Sequence, residues 1–371
     1  MRRWSLVAIS LICVILAHKR YETTIKRVDK TFAASWPPFF PDIDERVKYY
    51  MGSWYDHQIT NSSTFCQLIQ HYDTSKKALN HAYLFDRRKL QLASWHGASH
   101  YTRDVLRFYF QKSNPEKLRL ILLFGDSQAY DNFPVMLKAR EVQSAKRIQY
   151  AESPDPILAP LNTGRHFGML QYSKYLDREW HSKREALVWR GVNTGKKRSV
   201  GNRKQVVERF WNHSVQDIDI AFNRILPEKK GENKEEDIEK YVRPGKNMWQ
   251  LLQYKYLMSI EGNDVATGLK WMLYSNSVVF MAPPTHVTWA MEDKLIPYYH
   301  FIPIKPDYSD LYEQVQWARR NDVFCQQMSK QATNYVSALW ASKKAILTNQ
   351  GIIDRIISRY HRLYGESLAG C

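Results

Sequence analysis

Apolar residues in this chain gather into short unbroken runs, separated by stretches patterned like helices. Leu118, Leu120, Ile121, Leu122 and Leu123 make residues 117–124 a near-continuous apolar run, the pattern of a strand buried on both faces. Residues 256–260, 278–281 and 301–304 repeat that pattern, with Gly262 ending the first of these and Pro283-Pro284 the second. Between them, residues 266–274 place Leu269, Met272 and Leu273 at helical spacing, and residues 310–319 also read as a helix. Strands alternating with helices predict parallel strands joined by crossovers, hence an α/β chain with doubly wound sheets. Such sheets bind ligands beyond the carboxyl ends of their strands, where Gly262, Asn263 and Asp264 fall.

The pattern predicts four regions. Residues 1–30 carry an apolar run and a basic flank, 31–180 a first α/β domain, and 181–322 a second α/β domain. Residues 323–371 are helices expected to pack back across both. Residues 18–41 turn from basic to proline-rich (WPPFFP) and read as a stem, and 42–55 as a helix with an aromatic face. Residues 227–246 are charge-dense, a solvated loop or short exposed helix.

Composition narrows the partners. A formal charge of +17 favours acidic ones: nucleic acid, an anionic membrane or a phosphate-bearing substrate. An undirected basic surface is the plain alternative, and no nucleic-acid module is present, so nucleic acid is not expected. Residues 4–17 are apolar and follow Arg2 and Arg3, but fall short of the roughly 20 residues a spanning helix needs. They predict a signal-peptide core or a short signal-anchor. Bulky Ile15 and Leu16 leave no cleavage site, which favours an uncleaved membrane anchor with the body in the endoplasmic reticulum or Golgi lumen. The sequons at Asn61 and Asn212 agree, whereas the basic flank of Lys19, Arg20, Lys26, Arg27 and Lys30 argues for the opposite topology. Of the cysteines, Cys66 and Cys325 are either one long-range disulfide or two buried thiols.

Several residues carry chemistry by position. Asp126 follows the buried 117–124 strand directly, placed to take a proton as a general base or to cap the next turn, with Asp131 the nearest substitute. Gly125-Asp126-Ser127 also spells the start of a GDS-type serine hydrolase, but the late Asp-x-x-His partner is missing. Trp189-Arg190-Gly191 ends a strand and opens a loop with Thr194, Gly195, Arg198 and Arg203, where glycine backbone and arginine forks suit a diphosphate. Lys196, Lys197 and Arg198 read as an ordinary basic loop. Arg165 and His166 end a loop expected to face the same cleft, as donor or acceptor contacts or, for the histidine, as a core residue. The helix after Asp264 would point its amino end at phosphate. Ser275, Asn276 and Ser277 offer hydrogen bonds to ribose or base, or simply a turn. The D-x-D triplets at 42–44 and 217–219 are chance, so no metal is predicted.

A set of blocks also occurs in one order: G-D-S at 125–127, P-V-x-x-K-A-R at 134–140, L-N-T-G-R-H-F at 161–167 and V-W-R-G at 188–191. After them come K-Y-x-x-x-x-x-G at 255–262, G-L-K-W-M-L at 268–273, S-N-S-V-V at 275–279, H-F-I-P-I at 300–304 and S-D-L at 309–311. Over roughly residues 118–340 the chain resembles the CAP10-like glycosyltransferases, family 90. The resemblance implies a GT-B-like fold, two Rossmann-like domains facing each other across a cleft, with the acceptor over residues 31–180 and the nucleotide-sugar on 181–322. It further implies inverting transfer from a UDP-sugar, with no cofactor, to a hydroxyl of a protein or glycan acceptor. Asp126 corresponds to the general base, although those enzymes read N-x-R-D where this chain reads F-G-D-S. Arg190 and Arg203 correspond to phosphate contacts, Lys270 stands in for an arginine near Gly268, and Glu292 is placed near the nucleotide. The alternative is a catalytically silent relative acting as a lectin or binding protein.

Overall fold

The computed structural model describes residues 42–57, 82–86, 91–92, 99–109, 119–126, 134–142, 154–195, 201–212, 217–227 and 238–369. The apolar run at 4–17, the sequon at Asn61, Cys66, Ser127, Asp131 and the Lys196–Arg198 cluster lie outside these residues. No described helix is long and apolar enough to cross a membrane. Two compact units divide the chain, 1–46 and 47–371. In the first, Asp42 is a helix cap: its Oδ1 accepts from Glu45 N at 2.8 Å and its own N donates back to Glu45 at 3.0 Å.

In chain order the elements are α1 (Ile43–Met51), β1 (Ala82–Asp86), β2 (Gln91–Leu92), α2 (Ser99–Tyr109), β3 (Arg119–Leu123), β4 (Val135–Leu137), β5 (Ala139–Glu141) and β6 (Ile157–Leu158). There follow α3 (Thr163–His166), α4 (Leu170–Leu176), β7 (Arg184–Val192), α5 (Arg203–Phe210), β8 (Ile218–Arg224), α6 (Met248–Leu251) and β9 (Tyr254–Ser259). The chain continues with α7 (Leu269–Leu273), β10 (Val278–Met281), β11 (His286–Thr288), β12 (Ile302–Pro303), α8 (Leu311–Arg320), α9 (Asp322–Val336) and α10 (Lys343–Ala369). The helix expected over 42–55 stops at Met51, and Gly52 with φ +57° turns the chain into a 3-10 segment ending at Tyr55.

The continuous apolar runs became strands, although the one at 301–304 is cut to the two residues of β12 and leaves Pro303 half-buried. In the second half, β12-β10-β9-β7-β8 form one sheet whose neighbours are all parallel. Every residue of β9 and β10 is buried. Trp189, Phe222, Tyr256 and Phe280 pack in a core with Val206, Val207 and Phe210 of α5 and Leu311 and Val315 of α8.

The first sheet runs β2-β1-β3-β4-β6. Here β3, β4 and β6 are parallel, but β1 is antiparallel to both β2 and β3. The first half is therefore a mixed sheet rather than the wholly parallel one the alternation predicts.

A two-stranded ribbon joins the halves. β5 pairs with β11 in the register His286↔Glu141 and Thr288↔Ala139. Lys138, alone between β4 and β5, sits where the chain leaves the first sheet for this ribbon. Of the closing helices, α9 reaches the second half, with Tyr335 Oη donating to Met291 O at 2.7 Å. α10 covers the first, with Tyr360 Oη donating to Pro134 O and Tyr364 Oη to Trp54 O, each at 3.0 Å.

The strand order also creates a crevice. The crossover leaving β7 leads to β8 on one side, while the one leaving β9 leads to β10 on the other. Loops that diverge from adjacent parallel strands leave a gap beyond the carboxyl ends of those strands.

Candidate active site

A cavity of about 390 Å³ occupies this crevice. Its walls come from Ser259 at the end of β9 with Glu261 and Gly262 beyond it, from Met281 at the end of β10 to Thr285, and from Gly195, Gly201 and Asn202 between β7 and α5. The ribbon adds Glu141 and His286. The amino end of α5 therefore opens on the cavity, capped by Asn202, whose side chain accepts from Gln205 N at 3.1 Å.

Arg203 begins α5 and binds the two diverging loops together. Its Nη1 donates to Val192 O at 3.2 Å and Thr194 Oγ1 at 2.8 Å, and its Nη2 to Ile260 O at 3.0 Å. A Cβ on Gly262 would lie 3.1 Å from Arg203 Nη2, so glycine lets the turn settle onto the guanidinium. Burial brings the Arg203 pKa down to about 10, which leaves it protonated at neutral pH.

Asp126 stands at the carboxyl end of β3, on the edge of the same crevice. Lys138 Nζ lies 2.9 Å from its Oδ1, and Asn263 Nδ2 donates to its Oδ2 at 2.9 Å. Lys138 Nζ is also 2.5 Å from Asp264 Oδ2. The two carboxylates share one ammonium in different surroundings: the Asp126 side chain is 45% exposed and that of Asp264 only 11%. Partial burial opposes ionisation of Asp126, but Lys138, the Asn263 bond and Arg165 prevail and hold its pKa below the usual value. For Asp264 burial prevails over Lys138 and its pKa is raised. Burial disfavours the Lys138 charge, yet the two carboxylates together raise its pKa.

Five expected donor contacts are placed differently. Lys270 and Glu292 are both buried and meet each other at 2.6 Å, although Glu292 still reaches the cavity wall. Arg190 is clipped to Asp219 by two bonds of 2.8 and 3.0 Å, and its remaining donors go to Trp189 O, Asp219 O and Pro244 O. Asp219, the end of the second D-x-D triplet, is thus engaged by arginines, with Arg243 donating at 2.9 Å. Asp217 pairs with Arg319 in turn. Ser277 precedes β10 and binds Tyr254 O at 2.7 Å, at the start of β9. That is the amino edge of a parallel sheet, the opposite end from the cavity, and Lys183 and Ser277 tie it together there at 3.0 Å. Gly191 lies under the Trp189 ring, where a Cβ would meet Cζ2 at 2.4 Å, so its role is packing.

His166 is buried in α3 with neither ring nitrogen hydrogen-bonded. Burial, aided by Lys270, Lys138 and Arg165, holds its pKa well below the ordinary value, so it is neutral. Arg165 is exposed beside it and contributes to the field at Asp126. α3 is fastened near Asp126 by α2: Thr163 N donates to Asp104 at 2.8 Å, while Tyr101 Oη accepts from Gly125 N at 3.0 Å.

Sequence reasoning did not single out Lys138, Glu261, His286 or Glu141. Glu261 accepts from Thr285 N at 3.0 Å, and the His286 ring lies between Glu261 (3.7 Å) and Glu141 (3.8 Å). The available signals were slight: Lys138 stands within the K-A-R block and Glu261 directly precedes Gly262.

Against known proteins, the family model for glycosyl transferase family 90 matches residues 170–346. Over these residues the chain is similar to family 90. The family 90 region holds the whole second sheet and most of the cavity wall, while Asp126, Lys138 and Glu141 precede it. The O-glucosyltransferase LpsA of Dichelobacter nodosus is 29% identical over 239 residues, 64% of this chain and 65% of that protein. Protein O-glucosyltransferase 2 of Danio rerio is 28% identical over 138 residues, 36% of this chain and 27% of that one. Protein O-glucosyltransferase 1 of Rattus norvegicus is 30% identical over 84 residues, 23% and 21%. The chain thus spans just under two thirds of LpsA and about a quarter of the animal relatives.

Proposed function

We propose that this protein is an inverting glycosyltransferase that moves a sugar from a UDP-sugar to a hydroxyl of a protein or glycan acceptor without a metal ion. The two sheets then act as the halves of a GT-B-like enzyme, with the donor in the crevice of the second and the acceptor over the first. One observation carries the reading: an ionised, half-exposed carboxylate at the end of β3 touches the turn that walls the switch-point cavity. The named activities of the relatives supply the reaction class.

In this mechanism Asp126 accepts the proton of the acceptor hydroxyl as its oxygen attacks the anomeric carbon. The bond from that carbon to the diphosphate oxygen breaks on the opposite face, and UDP leaves with the electron pair. The charge on the leaving group is met by the amino end of α5 and by the Gly195 and Gly201 backbone. Arg203 holds that frame in place and adds its positive charge from beneath. The cavity wall carries Glu141, Glu261 and Glu292, acceptors suited to ribose and sugar hydroxyls.

The test is UDP release by the full chain from UDP-glucose, UDP-xylose and UDP-galactose, with EDTA present. Release from one donor, abolished in Asp126→Asn with UDP affinity retained, is the expected outcome. Saturable UDP binding without release from any donor indicates a silent binding protein, and an Asp126→Asn enzyme as active as the parent removes the base assignment.

A further inference from the structure

The three residues after Glu261 divide their tasks. Gly262 faces the cavity and rests on Arg203, Asn263 donates to Asp126, and Asp264 holds Lys138. They form one tight turn, closed by Gly262 N donating to Asp264 O at 2.9 Å. In so tight a turn, a backbone displacement at Gly262 by a bound donor would reach the Asp126 carboxylate through the next residue, Asn263. Asp126 itself has one oxygen on Lys138 and the other on Asn263. Each carboxylate oxygen has two acceptor sites, so both retain one for a substrate hydroxyl.

We propose that Asn263 is a positioning residue: it aims the Asp126 carboxylate and transmits donor occupancy of the 260–264 turn to it. This rests on the reading of Asp126 as the base, and it moves Asn263 from the donor contacts to the acceptor side. Asn263 is exposed and reaches Asp126 from the second half of the molecule, a span of 137 residues in sequence. No fold requirement of the exposed turn calls for an amide there, whereas a half-exposed carboxylate needs two donors to fix its plane. The other groups acting on Asp126 are Arg165, and through space Asp264, Arg203 and Tyr101. All remain in place when Asn263 is changed.

The test follows the Asp126 carboxyl carbon by NMR in full-length protein labelled at aspartate carboxyls, the resonance being assigned with Asp126→Asn. A hydrogen bond to the ionised form favours it, so in Asn263→Ala the Asp126 midpoint should move to higher pH. Asn263→Gln, which keeps the amide, should bring it back towards the parent value. UDP should shift the midpoint in the parent and leave it unmoved in Asn263→Ala. UDP affinity of Asn263→Ala should stay within about threefold, while kcat falls roughly ten- to a hundredfold and the acid limb of kcat follows the midpoint. An Asp126 midpoint indifferent to Asn263→Ala overturns the proposal. So does a tenfold loss of UDP affinity with the midpoint unmoved, which makes Asn263 a donor ligand. A parent chain that binds UDP but turns over no sugar donor, with its midpoint following both Asn263 and UDP, upholds the positioning role and removes only the transfer reading.

Discussion

Lys270 and Glu292 meet in a buried ion pair, Nζ 2.6 Å from Oε1, with each side chain 2% exposed. Glu292 also accepts from Thr288 N at 2.7 Å and Thr288 Oγ1 at 2.8 Å. The pair fixes α7, which follows the 260–264 turn, against the loop that follows β11. Removing one partner leaves a charge uncompensated in the interior, so Lys270→Met or Glu292→Leu alone should cost about 3–5 kcal/mol in urea denaturation. The double variant Lys270→Met/Glu292→Leu should lose clearly less than the sum. Additive losses would mean the two groups do not act as a pair.

Gly201 has φ +69°, and a Cβ there would lie 1.9 Å from Pro306 O. Both strain and collision fall on the cavity wall. Gly201→Ala should therefore lower stability by about 2–4 kcal/mol, read as a fall in Tm. Gly351 in α10 has no atom within 4 Å of its added Cβ, so Gly351→Ala should raise stability by about 0.5–1 kcal/mol. Equal effects at the two sites would contradict the packing described here.

His300 is buried, with Nδ1 accepting from Ile296 N at 2.9 Å, and burial pushes its pKa from 6.5 down to about 3. The unfolded chain takes up a proton near pH 6.5 that the native state refuses until about pH 3. Its contribution to stability is complete above pH 6.5 and lost as pH falls towards 3, at about 1.4 kcal/mol per unit. His166, shifted the same way, adds to this slope. Urea denaturation at pH 7, 6 and 5 should show the fall, and His300→Asn, which retains an acceptor, should flatten it by about one proton. An unchanged slope in that variant would contradict the neutral, buried state of His300.

Arg190 spends its guanidinium on Asp219 and on backbone carbonyls. Arg190→Gln should cost about 1–3 kcal/mol of stability and leave UDP affinity within about threefold. Calorimetric titration checks this. A tenfold loss of affinity at unchanged stability would return Arg190 to the phosphate contacts.

Much of the second half was legible because burial on both faces leaves a continuous apolar signature. Residues 278–281 were read from that signature with the bounds that β10 has. The mixed first sheet was less legible, since a strand pattern does not say which way a neighbour runs. Site residues divided along the same line. Gly262 and Asp126 closely follow the ends of buried strands and Arg203 opens the helix after β7, and such boundaries are visible in sequence. Ser277 misled because a polar cluster before a strand looks the same at either edge of a sheet. Lys138 went unnoticed because its partners Asp126 and Asp264 are separated by 138 residues in sequence (264 minus 126).

The sequence alone determined the buried strands β3, β9, β10 and β12, the helices α7 and α8, the α/β class, the resemblance to family 90, and that a carboxylate and a glycine turn follow two buried strands. These depend on hydrophobic periodicity and on local backbone preference, which act over a few neighbours. Only the tertiary structure decided which charges meet. It paired Lys270 with Glu292 and Arg190 with Asp219, and it brought Asn263 against Asp126. Such pairings depend on strand order and on which side each crossover leaves the sheet, and charge pairing at a distance leaves no periodic trace in the chain.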